Sequence, residues 1–202
     1  MSISMDYLIA NINTGEDRMI KLETERLIVR DFRLEDAESL ARNINHPTIF
    51  KLTAHIPQPY TLETAVKYMQ DDSIERDKDP RVNYRFAIQL KDNPEVIGSI
   101  GLHKIDWKNG KAEIGYWLAV DHHKKGIMSE VEKVVLDFGF DKLKLYKIVG
   151  ACLSINQGST RLFLKFGFRH VGTFIEDRVK DGKRLDAFVW ELLARDYKNS
   201  YD

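Results

Sequence analysis

Hydrophobic and polar positions alternate through Glu25–Phe32 (ERLIVRDF), the period-two pattern of a strand with one buried face. Leu34, Ala37, Leu40, Ala41 and Ile44 then recur at three- and four-residue spacing, so the period turns helical until His46-Pro47, which reads as the stop. Between Pro57 and Pro80, Thr61 is placed to cap a second helix with Leu62, Ala65, Val66 and Met69 on one face. Three strand-like runs follow: Tyr84–Leu90, Val96–Ile105 after the turn at Asp92-Asn93-Pro94, and Ala112–Val120 after Asn109-Gly110. Past Asp121, a stripe of Ile127, Val131, Val134, Val135 and Phe138 predicts a helix ending near Phe140. Lys147–Ser154 is the next strand. Asn156 caps a short helix bearing Leu162, Phe163 and Phe166 that Gly167 stops, and two last strands flank Asp181-Gly182.

The predicted order is therefore β-α-α-β-β-β-α-β-α-β-β. Three hairpin-linked strands followed by strand-helix-strand require a mixed, mostly antiparallel sheet, here of about seven strands flanked by about four helices. This is an α/β chain of the α+β type. A length of 202 residues suits one domain, which we place at 21–195, with an N-terminal extension over 1–20 and a C-terminal tail over 196–202. A content of 43% hydrophobic and 31% charged residues is that of a globular chain, and no stretch approaches transmembrane length, so no membrane partner is expected. Lys plus Arg and Asp plus Glu both number 31, which leaves no global field to concentrate a polyanion and argues against nucleic acid as the primary ligand. Cys152 is the only cysteine, so an intramolecular disulfide is excluded. With no basic start or long apolar stretch in the first twenty residues, the expected location is cytoplasmic.

Two segments carry chemistry. In Ala112–Glu130 (AEIGYWLAVDHHKKGIMSE) a strand runs through a short loop directly into a helix. Free backbone N–H groups and the positive helix end at Lys125–Ser129 suit a diphosphate, Gly126 permits close backbone approach, and Lys124 and Lys125 add charge. A glycine at such a turn and paired surface lysines are also ordinary structural features. In Asn156–Phe168 (NQGSTRLFLKFGF), Asn156 and Ser159 lie three apart at a helix start, which by itself is a capped helix with a glycine stop. The six histidines show no metal-ligand spacing, so no metal is expected.

Together, in this order and separation, the two segments resemble the GNAT superfamily of acyltransferases over about Lys21 to Leu193. The family's loop pattern, Q/R-x-x-G-x-G/A, reads here His123-Lys124-Lys125-Gly126-Ile127-Met128, keeping the central glycine and departing at both ends. TERLIVRDF, IGYWL, GIMSE, N-x-x-S and KFGF are similar to the RimJ/RimL-type branch, the ribosomal-protein N-terminal acetyltransferases. The resemblance implies acetyl-CoA as cosubstrate, lying in a V-shaped opening between the fourth and fifth predicted strands. Its pantetheine would pair with the backbone of Leu118, Ala119 and Val120, and a backbone N–H near Trp117 or Leu118 would polarise the thioester carbonyl. Its diphosphate would meet Lys124, Lys125, Gly126, Ile127, Met128 and Ser129, with His123 bordering the loop and Asn156 contacting the pantetheine arm.

Aminolysis of a thioester needs a neutral amine, a proton acceptor and a donor for the departing thiolate. The family's usual donor, a Tyr on the helix after the Asn, is Phe163 here, whereas Ser159 occupies the place of the branch's alternative serine. Glu113 resembles the strand glutamate that several members use as base; a solvated carboxylate and a first-turn serine are the plain readings of these two residues. The branch's glutamate after KFGF aligns with Arg178, and Glu176 stands two residues earlier on the same expected strand face. Tyr116, Trp117 and Trp107 line an acceptor pocket or belong to the core. An α-amine costs about 3 kcal/mol less to deprotonate at pH 7 than a lysine, so a site without a strong base suits an N-terminal amine.

These readings lead to an N-acetyltransferase acting on a primary amine, foremost the α-amine of a peptide or protein such as a ribosomal protein, with a homodimer as an open assembly state. Two alternatives stand beside it. One is a small amine (polyamine, amino acid or antibiotic), toward which Glu63, Asp71, Asp72, Glu75 and Asp77 would draw a cation. The other is a non-catalytic acyl-CoA-binding module, motivated by the departures at Phe163, Arg178 and Lys124. A nucleotide loop built on HKKGIMS lacks the longer Gly-Lys-Ser/Thr pattern and has the wrong strand order.

Overall fold

A computed structural model describes residues 19–198. The extension assigned to 1–20 lies outside them but for Met19 and Ile20, as do residues 199–202 of the tail. Strands β1 (Lys21–Glu23) and β2 (Leu27–Asp31) lead through a 3-10 turn into α1 (Ala37–Ile44), α2 (Pro47–Leu52) and α3 (Leu62–Arg76). The meander β3 (Tyr84–Leu90), β4 (Asn93–Asp106) and β5 (Lys111–Leu118) precedes α4 (Ile127–Asp137), which runs on as a π turn to Lys142. Then come β6 (Lys147–Leu153), α5 (Gln157–Lys165), β7 (Arg169–Lys180), β8 (Lys183–Leu193) and α6 (Ala194–Lys198).

Among the described residues the strands form one eight-stranded sheet in the order β1-β2-β3-β4-β5-β6-β8-β7. Its pairs are antiparallel except β5 with β6, a parallel pair whose strands are connected by a crossover through α4. One face carries α4 and α5 over a core that includes Phe86, Ile100, Leu102, Ile114, Ile148 and Phe163. The other face carries α1, α2 and α3 over Phe32, Leu40, Ile49, Met69, Val96 and Trp117.

Two elements exceed the predicted set near the chain start. The edge strand β1 contributes Leu22 alone to the core, too little for alternation to reveal it. Pro47 does not merely stop α1. It opens α2 at the first helical position, where its missing N–H costs nothing, while His46 Nδ1 accepts from Thr48 N at 3.1 Å and caps the new helix. The short α6 reaches into the stretch assigned as a tail and buries Tyr197 to 4% exposure.

The acidic residues of α3 are divided by their surroundings. Asp72 and Glu75 are buried: Asp72 lies among Arg76 and Arg81 at 3.8 Å, and Glu75 accepts from the Val82 and Asn83 N–H groups at 3.1 Å. Asp31, fully buried, receives Arg81 Nη2 at 2.8 Å and Ile20 N at 2.8 Å. This polar layer fastens α3 and the β1–β2 hairpin to the sheet, so these carboxylates do not form a solvent-facing field for a cationic substrate.

Candidate functional site

Strands β5 and β6 are hydrogen-bonded only from Lys111↔Lys147 to Ile114↔Gly150. Beyond that rung β5 stays paired with β4 as far as Leu118↔Gly98, and β6 with β8 as far as Leu153↔Ala187, while their facing edges separate. A V-shaped opening results. Phe163 of α5 stands under its apex, with ring centroids 6.0 Å from Tyr116, 5.0 Å from Phe168 and 5.7 Å from Trp190. A Cβ at position 150 would meet Phe163 Cζ at 2.4 Å, so only glycine lets this ring pass beneath β6.

The opening widens into a cavity of about 600 Å³, within the range of ligand sites. One wall is the start of α4. Gly126 sits there in the left-handed region (φ +78°), and no side chain caps the helix, so the first-turn N–H groups of Ile127, Met128 and Ser129 meet the cavity without a side-chain partner. The loop is held from behind. Arg26 donates through Nη2 to the Lys125 carbonyl at 3.3 Å and binds Glu130 at 2.6 and 2.9 Å, and the Thr24 hydroxyl donates to the same carboxylate. Exposure makes these contacts worth little in stability, but they fix where the helix start lies.

The opposite wall is α5. Asn156 Oδ1 accepts from Ser159 N at 3.0 Å, while its Nδ2 donates to the Leu52 carbonyl at 3.0 Å, joining the end of α2 to the start of α5. Asn156→Ala is expected to cost about 1–2 kcal/mol in urea unfolding, since it removes a helix cap and a cross-helix bond together. Asn156→Asp keeps the cap and should recover part of that loss. Unchanged stability in the alanine variant contradicts this arrangement.

On β5, the Ala119 N–H bonds the Ile97 carbonyl at 2.8 Å on the β4 side, so Leu118 faces the cleft by alternation. Its carbonyl accepts from His123 Nε2 at 2.9 Å, which requires the proton on that nitrogen, and the Val120 carbonyl accepts from His123 N at 3.0 Å. Those two carbonyls are thus already engaged, whereas the Leu118 N–H is directed into the opening.

The cavity gathers Trp117, Leu118, His123, Lys124, Gly126, Ile127, Met128, Ser129, Asn156 and Ser159. Ala119, Val120 and Lys125 belong to the adjoining backbone. Glu113 stands apart, one rung before the last paired rung of β5, on the sheet face that carries Trp117, opposite the face of Tyr116 and α5. Its carboxylate binds Lys104 Nζ at 2.9 Å. Glu176 does not share a regular strand face with Arg178, because β7 bulges there (Glu176 φ +52°). Glu176 lies 3.8 Å from Arg184, while Arg178 binds Asp177 at 2.8 Å. Trp107 donates to the Arg81 carbonyl at 3.1 Å, away from the cavity lining. Cys152 is buried, and burial raises its thiol pKa, as fits a packing residue.

Other lining residues come from Ile49, Leu52 and Thr53 around the unforeseen α2, and from Gln157, Arg161 and Lys165 on α5. The latter three recur every four positions after the Asn156 cap, a helical signal that places two cations on the cavity side.

A sheet split at one parallel pair, with an uncapped helix start aimed into the split, defines a cleft for an extended molecule with an anionic end. The acetyltransferase (GNAT) domain model matches residues 26–169, and the chain belongs to that family of acetyl-transferring enzymes, which use acetyl-CoA. The chain is 33% identical over 181 residues to the uncharacterized N-acetyltransferase p20 of Bacillus licheniformis, covering 89% of this chain and 99% of that one. Its fold is similar to that of the ribosomal-protein-S5-alanine acetyltransferase of Vibrio fischeri (TM-score 0.78, 20% identity, 88% and 98% covered). It is likewise similar to the spermidine N-acetyltransferase of Vibrio cholerae in complex with CoA and spermine (TM-score 0.75, 21% identity, 87% and 100% covered).

Proposed function

We propose that the chain moves acetyl from acetyl-CoA to the α-amine of a peptide or protein N-terminus, with the cosubstrate held in the β5–β6 opening. The observation that carries this reading is the uncapped start of α4 opening directly onto the splayed strand edges. Ile127, Met128 and Ser129 supply N–H groups for a diphosphate, and Lys124, Arg161 and Lys165 supply cations around it. The Leu118 N–H faces the opening and serves as the donor to a thioester carbonyl. Asn156 and Ser159 border the pantetheine arm.

The acceptor approaches from the Trp117 face, where Glu113 is the candidate base, acting through water. It is engaged by Lys104 Nζ at 2.9 Å, and an α-amine, being more easily deprotonated than a lysine, asks less of such a base. Beyond Thr53, Arg178 Nη2 lies 3.3 Å from His55 Nε2 while the same guanidinium binds Asp177 at 2.8 Å. Burial, together with the charges of Arg178, Lys104 and Lys180, holds the His55 pKa below its ordinary value.

Thiol release from acetyl-CoA decides the acceptor. A short peptide with a free N-terminal alanine, suggested by the named Vibrio fischeri protein, is expected to give at least about tenfold higher kcat/KM than spermidine, a discrimination of about 1.4 kcal/mol. Blocking its α-amine should abolish turnover. Faster reaction with spermidine, or equal reaction of the blocked peptide, contradicts the proposal.

A further inference from the structure

Beneath Ser159 lies a group of buried polar atoms without partners. Glu132 of α4 has no exposed surface, and neither of its carboxylate oxygens has a hydrogen-bond partner. The Tyr116 hydroxyl is equally shielded and makes no well-formed hydrogen bond, although it interacts with Ser159 and feels the Glu132 carboxylate. Buried polar groups are nearly always satisfied, so orphans clustered at one site call for a reason. Packing does not supply one: an apolar side chain would fill either place without the desolvation cost. Tyr116 and Ser159 both line the cavity, and Glu132 lies one helical turn beyond the lining residues Met128 and Ser129.

We infer that Tyr116 is a further residue acting through Ser159, a phenolic proton donor that positions and replenishes the Ser159 hydroxyl, and that Glu132 behind it is a second positioning residue that stores the proton for the phenol. The placement explains how an enzyme with Phe163 in place of a helical tyrosine still protonates a thiolate: the phenol comes from β5 instead of α5. As the carbon–sulfur bond breaks, Ser159 gives its hydroxyl proton to sulfur and Tyr116 replaces that proton; the Glu132 carboxylic acid, unpartnered in the resting site, turns onto the phenol and replaces the proton given up. The new S–H bond is balanced by one carboxylate at Glu132, and solvent reprotonates it once the product has left. The groups facing this unit are Lys165 from α5 toward Glu132, and Cys152 from β6 toward Tyr116. Burial pushes the Glu132 pKa up to about 8 against the opposing Lys165 charge, so the acid is protonated near neutral pH. Burial likewise holds the Tyr116 pKa well above its usual range, which keeps the phenol in its donor form.

This inference rests on the acyl-transfer reading above and deepens it. The test is kcat for the N-terminal alanine peptide between pH 6 and 9, in the unaltered protein and in Tyr116→Phe, Glu132→Gln and Glu132→Leu. General-acid catalysis of this kind is worth about tenfold or more, so each variant should lose about that factor in kcat with the KM for acetyl-CoA changed less than about twofold. The unaltered protein should also lose kcat above pH 8, and that limb should vanish in both Glu132 variants. Glu132→Leu guards against a folding artefact, because it should be at least as stable as the parent. Full kcat in Tyr116→Phe, or an unchanged alkaline limb in Glu132→Gln, overturns the inference while leaving the transferase reading intact. Absence of peptide turnover in the unaltered protein overturns the α-amine reading and this inference with it.

Discussion

Phe163→Ala is expected to lower the unfolding free energy by about 4 kcal/mol, the usual cost of deleting a fully buried aromatic ring. Phe163 is 1% exposed and packs at once on Tyr116, Phe168 and Trp190, so its removal leaves a hole that none of these rings can fill without leaving another. For a chain of this length the loss corresponds to a fall in Tm of about 10 °C. The same substitution acts on the site, because the ring underlies the rung at which β5 and β6 part. Weaker acetyl-CoA binding is expected alongside the lower stability. Phe163→Tyr separates structure from family pattern. A hydroxyl on Cζ would be driven against the β6 backbone, where even a Cβ on Gly150 would lie 2.4 Å away. It should therefore cost about 1–3 kcal/mol through overpacking and give no gain in kcat. Denaturant unfolding and thiol-release kinetics on both variants check this pair of outcomes; a faster, equally stable Phe163→Tyr refutes the packing account.

The second large effect is on the pH dependence of stability. Glu132 has an ordinary pKa of 4.5 when unfolded and about 8 when buried, so between these values the folded state holds a proton that the unfolded state has lost. Stability is then highest below pH 4.5 with respect to this group and falls as pH rises, by about 1.4 kcal/mol per unit in the middle of the window. Asp72, raised to about 6 chiefly by burial, adds a change of the same sign at lower pH. Glu132→Leu removes the larger contribution. Its advantage over the parent should grow from near zero to about 1 kcal/mol at pH 5 to on the order of 4 kcal/mol at pH 8. Urea unfolding at the two pH values measures this; an advantage that does not increase with pH shows that Glu132 is not held neutral by its surroundings.

The two substitutions illustrate which features a sequence can disclose. The meander, the helix after Asp121 and the hairpin at Asp181-Gly182 rest on local periodicity and turn chemistry, and all are present in the fold. Gly126 and Asn156 were legible for the same reason, since a left-handed residue at a helix start and a capping amide are local devices. Glu132 was not legible, because a glutamate between Val131 and Lys133 reads as a solvated helical position until α5 packs over it. Glu113 looked like a base on a strand, but its tie to Lys104 depends on the irregular register near His103, where Lys104 takes φ +50°. Pro47 carried two opposite local meanings, helix stop and helix start, and the His46 cap selected the second. The departure from a helical tyrosine donor was visible at Phe163, whereas its counterpart, Tyr116 facing Ser159, depends on how β5 and α5 are brought together.

The claim on which everything else depends is that acetyl-CoA occupies the β5–β6 opening. Backbone amide hydrogen exchange with and without saturating acetyl-CoA tests it directly, since binding stabilises the segments that it orders. Exchange should slow in Leu118–Glu130 and Asn156–Ser159, with little change along α3 or in the β7–β8 hairpin. Protection confined to the exposed groove along α3, lined by Leu62, Val66, Gln70 and Ile74, or no protection at all, would contradict it.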